Sequence, residues 1–286
     1  MTHNRNTKAE YVQSKKIDAD IVFHGPCEPL WMIDPAQIDP QIKKTSYNLA
    51  LSHSDFADNY LHLYLYLENN KAPKYLFLYV TPESMDKKFN TFNTFRFANY
   101  TNDSLVAEVI KENDPAYYKW MNIPFMRFAY YNTYTSFNAV QGCKHYFNNK
   151  TEAYFPNGFE PPAKITWDNH LEDMQHQYPK GYSFIIDSLR VKYLHKTIEL
   201  AQSKGVKVIL YESPVLKESL SNLKNREDVV KLIDNIAWEH NAIYKQFDDL
   251  PLAESREYFI SSLNLNLDGI KIFNDTLAGF INRDVK

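Results

Sequence analysis

Glycine is scarce in this sequence. There are seven in 286 residues, and the two nearest one another, Gly269 and Gly279, stand ten positions apart. A loop whose glycines let backbone N–H groups close on phosphate, of the G-x-G-x-x-G or the Walker kind, therefore cannot be written anywhere in the chain. Cysteine is scarcer still. Cys27 and Cys143 are enough for one bridge, but not for a disulfide framework or a cysteine-rich zinc site. An excess of either charge is also missing: 32 Lys and Arg stand against 35 Asp and Glu, a net charge of -3. The basic footprint that a nucleic-acid backbone demands is not there, so no nucleic-acid partner is expected. Long apolar runs are lacking too, and Met1 to Lys16 is a polar lead without an apolar centre, so no membrane span is expected in the chain as given. The default compartment is the cytoplasm. A lead ending in Ser14-Lys15-Lys16 also suits a membrane-proximal stem, which would put the protein in the periplasm or cell envelope if an anchor has been trimmed.

What is present is ample material for a core, with 44% hydrophobic residues, in a length that suits a single domain over 1–286. Short apolar, β-branched runs ending in turn residues predict strands at Ile21–Phe23, Ser46–Leu51, Tyr75–Val80, Lys207–Tyr211 and Ala242–Phe247. Between them the helical period marks a helix capped by Asp55, with Phe56, Tyr60, Leu63, Tyr64 and Leu67 on one face. Further helices are expected over about 188–203, 225–239 and 268–282. Alternating strands and helices imply an α/β fold with a three-layer, doubly wound parallel sheet of about five strands. From Glu83 to about Tyr182 the alternation gives way to aromatic-rich helical pieces broken by prolines, which reads as a large, mostly helical insertion. Its aromatics suit a carbohydrate or acyl-group platform, or simple core filling.

In a doubly wound sheet ligands bind beyond the carboxyl ends of the strands, so the loops after Phe23, Leu51, Val80, Tyr211 and Phe247 are where chemistry is expected. The first carries Gly25-Pro26-Cys27-Glu28. A thiol at the start of a helix is lowered in pKa and made nucleophilic, an adjacent carboxylate opposes this, and the plain alternative is a small hydrophobe buried at a turn. His24 and His53 both follow strands, so either can serve as base for Cys27 or be a hydrogen-bonded loop histidine. Asn264-Leu265-Asn266-Leu267-Asp268-Gly269 matches a calcium loop only superficially, since it starts with Asn and continues into an amphipathic helix. No metal and no cofactor are expected.

The order of these elements resembles the SGNH or GDSL hydrolase superfamily, and within it the bacterial branch of exopolysaccharide-associated and uncharacterised proteins. The residues carrying the resemblance are Ile21-Val22-Phe23-His24-Gly25-Pro26-Cys27 followed by Ile33-Asp34-Pro35, then Asn48-Leu49-Ala50, Lys71-Ala72-Pro73-Lys74, Glu212-Ser213-Pro214, and Ser261 through Gly269 leading into the last helix. The resemblance implies a nucleophile at Cys27, where the family has serine. Ser261 and Asn264 occupy the positions of the family's aspartate and histidine. It also implies backbone oxyanion donors at Cys27 and Ala50, and substrate contacts at Glu28, Asn48 and Glu212. Asparagine cannot take and return a proton at neutral pH, so ester chemistry would need His24 or His53 as base. Two expectations follow. One is a diverged esterase or acyltransferase acting on a small-molecule or glycan ester through Cys27. The other is a non-catalytic protein of this fold that binds a glycan or a protein partner.

Overall fold

The computed structural model describes residues 12, 17–89, 92–123, 126, 157–162 and 167–285. Most of the polar lead and part of the aromatic insertion, Cys143 included, lie outside the described residues. The chain divides into two compact units, one formed by 1–10 with 91–154 and the other by 11–90 with 155–286.

In the larger unit the strands are β1 (Ile21–His24), β2 (Ser46–Asn48), β3 (Tyr75–Tyr79), β4 (Lys207–Glu212) and β5 (Ile243–Gln246). The helices in chain order are α1 (Cys27–Met32), α2 (Pro35–Ile42), α3 (Phe56–Asn69), α4 (Ser104–Asn113), α5 (Pro115–Tyr118), α6 (His170–Gln177), α7 (Ser188–Ser203), α8 (Lys217–Leu220), α9 (Arg226–Glu239) and α10 (Leu267–Asp284). Of these, α4 and α5 belong to the smaller unit. All strand pairings are parallel and the order is β2-β1-β3-β4-β5, the flavodoxin-like winding of an α/β sheet. None of the described helices is long and apolar enough to cross a membrane.

Strand alternation sends two sets of side chains to opposite faces. Ile21, Phe23, Phe77, Tyr79, Ile209 and Tyr211 face one way and share a core with Ile38 of α2 and Phe273, Leu277 and Ile281 of α10. Val22, His24, Leu76, Leu78, Val208 and Leu210 face the other way, where α3 and α7 pack together. Every residue of β1 and β3 is buried, as the uninterrupted apolar runs require of strands covered on both faces.

The helix starts follow from local chemistry. Asp55 accepts N–H bonds from Ala57 and Asp58 while the Asp58 carboxylate accepts the Asp55 N–H, a full capping box on α3. Asp34 accepts from Ala36 N at 2.9 Å with Pro35 in the first helical position, so the Ile-Asp-Pro segment is the cap of α2. Asn266 caps α10 by accepting from Asp268 N and Gly269 N, which makes the calcium-like segment a helix start.

Three strands are shorter than the sequence predicts, and of these β3 stops one residue early at Tyr79. β2 ends at Asn48, yet Leu49 N and Leu51 N still donate to Phe23 O at 2.7 Å and Gly25 O at 2.9 Å, so the segment stays beside β1. β5 spans Ile243–Gln246 within the expected 242–247.

Gly25 makes the turn from β1 to α1. Its φ is +151°, and a Cβ there would lie 2.7 Å from Tyr79 Cβ and 2.9 Å from Pro29 Cγ. Only glycine satisfies both the conformation and the close approach. Gly25→Ala is expected to cost at least about 2 kcal/mol of unfolding free energy. Equilibrium denaturation of that variant checks this, and wild-type stability would refute the close packing of the turn against β3.

Candidate functional site at the carboxyl edge of the sheet

Cys27 is the first residue of α1 and is half-buried at the strand-end edge. Its sulfur accepts the backbone N–H of His53 at 3.0 Å and lies 3.7 Å from Ser52 Oγ. His53 reaches this position through a left-handed backbone, φ +50°, a conformation that costs a non-glycine residue about 1 kcal/mol or more and is stored at special sites. His53 is exposed, and the contact with the thiol is made by its main-chain N–H.

The loop is held by Asn48, which is fully buried. Its Nδ2 donates to Pro29 O at 2.7 Å and Ile33 O at 2.8 Å, and its Oδ1 accepts from Ala50 N at 3.1 Å. The expected substrate contact at Asn48 is thus a buried brace between β2 and α1, and the Ala50 N–H expected at the oxyanion is bonded to that brace.

His24 is fully buried at the end of β1. Its Nε2 is 2.9 Å from Asn59 O on α3, and its ring centroid lies 5.5 Å from that of His62. Strand alternation explains the placement, because Phe23 takes the α2 face and His24 the α3 face. Ser261 and Asn264 come together: Ser261 Oγ accepts from Asn264 Nδ2 at 2.9 Å and from Asn264 N at 3.1 Å. Leu216 N donates to Ser262 O at 3.0 Å, which sets this turn beside the chain leaving β4. Asn264 Oδ1 is buried without a hydrogen-bond partner among the described residues.

A buried polar cluster also gathers at the strand ends of β3 and β4. Glu212 ends β4 with no exposed surface and accepts from Arg226 Nη2 at 2.9 Å, Gln246 Nε2 at 2.8 Å and the Tyr244 hydroxyl at 3.2 Å. Arg226 also meets Asp248 at 3.2 Å. Tyr79 Oη and Ser213 Oγ are 3.0 Å apart, and the Tyr79 and Tyr211 rings meet edge to face at 5.4 Å. Glu28 and Glu83 each keep one carboxyl oxygen shut off from solvent and without a hydrogen-bond partner among the described residues, as does the Tyr211 hydroxyl.

Burial dominates the electrostatics. It pushes the Glu212 carboxyl up to about 7 despite the opposing Arg226 charge. Burial likewise raises Glu28, and it raises Glu83 against a smaller pull from Arg226. The Tyr79 and Tyr211 hydroxyls are driven well above their ordinary range by burial, with the Glu28 charge adding to it. Among the described residues no group of three or more His, Cys, Asp or Glu is placed to hold a metal ion.

Glu83, Arg226, Tyr79, Tyr211 and Ser52 were not singled out from the sequence. For Glu83 a signal exists, since it follows the Val80-Thr81-Pro82 strand end, the kind of loop where chemistry is expected. Arg226 has no local signal.

No known family's sequence model matches the chain, and no curated protein matches it. Solved structures do. A Streptococcus pneumonia protein provisionally named as a platelet activating factor aligns over 97% of this chain and 90% of its own, at 10% identity and a TM-score of 0.46. A provisionally assigned acylhydrolase from Bacteroides fragilis aligns over 100% of this chain and 99% of its own, also at 10% identity and a TM-score of 0.46.

The buried acids make stability depend on pH. Glu212 holds its proton up to about 7 in the folded chain but only to 4.5 in its ordinary state, so between these values the folded state carries more protons than the unfolded one. Its contribution is full below pH 4.5 and is lost as pH rises through about 7, by roughly 3 kcal/mol for a shift of this size. Glu212→Gln is expected to flatten the fall in unfolding free energy between pH 5 and pH 7.5. Denaturant titrations at several pH values measure this, and a variant with the wild-type slope would show that Glu212 does not hold the proton.

Proposed function

We propose that this chain is a diverged ester hydrolase or acyltransferase of the SGNH type, with Cys27 as acyl acceptor and an acylated small molecule or carbohydrate as substrate. The observation that carries the reading is the bond from His53 N–H to the Cys27 sulfur at 3.0 Å. It gives the sulfur an acceptor's role and favours the thiolate, the reactive form.

The thiolate would attack the ester carbonyl to form a thioester. The Cys27 N–H, with Ala50 N–H shared from Asn48, would hold the developing oxyanion. The alcohol leaves with a proton, and water or a second hydroxyl then takes the acyl group. His53 is favoured over His24 as the base that moves these protons. His53 is an exposed residue whose main chain adjoins the sulfur, so its side chain is on the solvent side where an ester would enter, whereas His24 is fully buried with Nε2 engaged by Asn59 O. Of the expected substrate contacts, Asn48 and Glu212 have their side chains engaged by protein groups, and Glu28 has one oxygen shut off from solvent.

A second reading, binding of a glycan or partner without catalysis, is favoured by the Ser261 and Asn264 pair. An amide bonded to a hydroxyl stands where the resemblance would place a histidine bonded to an aspartate.

Hydrolysis of p-nitrophenyl acetate by wild type and Cys27→Ala, with intact-mass detection of adducts, separates the two. The catalytic reading expects an acyl adduct on Cys27 and a fall in turnover of about 100-fold or more in the variant. Equal background rates and no adduct on either protein would reject it in favour of binding.

A further inference from the structure

Away from the strand-end site, two histidines tie α7 to the end of α9. His195 Nδ1 and His240 Nε2 are 2.8 Å apart in a part-buried contact, with ring centroids 5.0 Å apart and planes at 55°. Both backbones are fixed. His195 follows the fully buried Leu194 within α7. His240 closes α9, where Gln202 Nε2 donates to its carbonyl at 2.6 Å and Ala242 N donates to Ala237 O at 2.8 Å. Asn241 then turns the chain toward β5 with φ +50°. Of the two histidines, His240 lines a groove of about 580 Å³ that opens to solvent beside the first residues of β4 and β5.

A ring nitrogen either carries hydrogen or offers a lone pair. The contact needs one hydrogen between the two nitrogens, and this is met when both rings are neutral or when one of them is charged. It fails when both are charged, because two N–H groups then point at each other across 2.8 Å and like charges meet at part-buried rings. The folded pair has room for one added proton and not for two. Its surroundings suit that single charge. His240 stands at the negative end of the α9 dipole, Glu239 precedes it, and Glu199 lies one turn beyond His195 on α7. Lys207 of β4 and Asp284 of α10 share the groove with His240 and offset each other. The other cations of the packed elements are drawn elsewhere: Lys192 and Lys196 to the rings of Tyr193 and Tyr60, Lys204 to Glu68 of α3 at 3.2 Å, and Lys245 of β5 to the ring of Phe247.

We propose that the His195–His240 bond is an acid-sensitive latch, closed while the pair carries no more than one added proton and opened by the second. On opening, the His240 ring turns into the groove, where water takes its N–H, and the end of α9 and the start of β5 lose their tie to α7. The sign follows from counting protons. In the unfolded chain both histidines take protons as the pH falls through about 6.5. Below that value the unfolded state binds one proton more than the latched state, so acid lowers the folding constant by up to about ten-fold per pH unit. The buried Glu212 acts in the opposite direction, since its contribution is full at low pH.

The test is denaturant titration of wild type, His195→Gln and His240→Gln between pH 7.5 and pH 5, with hydrogen exchange of amides 241–244 read against those of α10. Glutamine can bond the remaining histidine in either state, its amide donating to a lone pair and its carbonyl accepting from N–H, but it removes one titrating ring. Each variant should therefore lose less stability than wild type on acidification, by a factor in the folding constant that grows toward about ten-fold per pH unit below about pH 6.5. Amides 241–244 should exchange faster relative to α10 at pH 5 in wild type alone. Equal pH slopes in wild type and both variants would overturn the proposal. So would an NMR titration of wild type, which needs no variant, in which both imidazole Cε1–H signals reach their fully protonated shifts by pH 5 while amides 241–244 stay as protected as at pH 7.5.

Discussion

The carboxyl edge of the sheet depends on one buried amide. Asn48 bonds the carbonyls of Pro29 and Ile33 and receives the Ala50 N–H, so three main-chain groups at a strand end and a helix end are satisfied by one side chain. Pro29 O also accepts the Ile33 N–H, but Ile33 O and Ala50 N–H left unpaired in the core would each cost about 1–3 kcal/mol. The brace fixes the path of the chain after β2, and Leu51 N to Gly25 O continues it alongside the β1 turn. The meeting of Cys27 with Ser52 and His53 is thus set by residues that take no part in it. Gly25 is the complementary requirement, because α1 can start where it does only if nothing projects toward Tyr79.

At that edge the carboxyls of Glu28, Glu83 and Glu212 are taken out of water, and the Arg226 guanidinium, which Asp248 also engages, pairs with Glu212 and acts on Glu83. An isolated buried carboxylate is costly enough that such groups hold their protons instead. The upward shifts of all three acids and of Tyr79 and Tyr211 have this common cause. Such a set of raised acids at the ligand-binding edge of a doubly wound sheet is where function is expected, and it is a sharper marker than any motif in the sequence.

The strands and helix starts were legible because their causes are local. Ile21–Phe23 and Tyr75–Val80 are apolar without interruption, and Asp55 and Asp34 stand where a helix needs an acceptor for its first N–H groups. The relations among site residues were not legible, because they depend on which strands become neighbours and which face each side chain takes. Glu83 and Arg226 interact only after the chain has crossed from β3 to β4 and back along α9. His24 was a reasonable partner for Cys27 at three residues' separation, but a strand sends successive side chains to opposite faces, and its ring is bonded to α3. His53 was singled out for its ring, yet its main chain makes the contact, a role that any residue able to hold φ near +50° could fill.

The chemistry of Cys27 turns on a balance that sequence leaves open. A helix start lowers a thiol's pKa, and a neighbouring glutamate raises it. With α1 only six residues long, its dipole is a small contribution, and the fixed N–H of His53 is the closer and better-aimed one. Glu28 opposes the thiolate only as far as it is ionised, and burial raises its pKa, which weakens that opposition. A nucleophilic Cys27 accordingly depends on the loop held by Asn48, which aims the His53 N–H at the sulfur, more than on a base inherited at the position of Asn264.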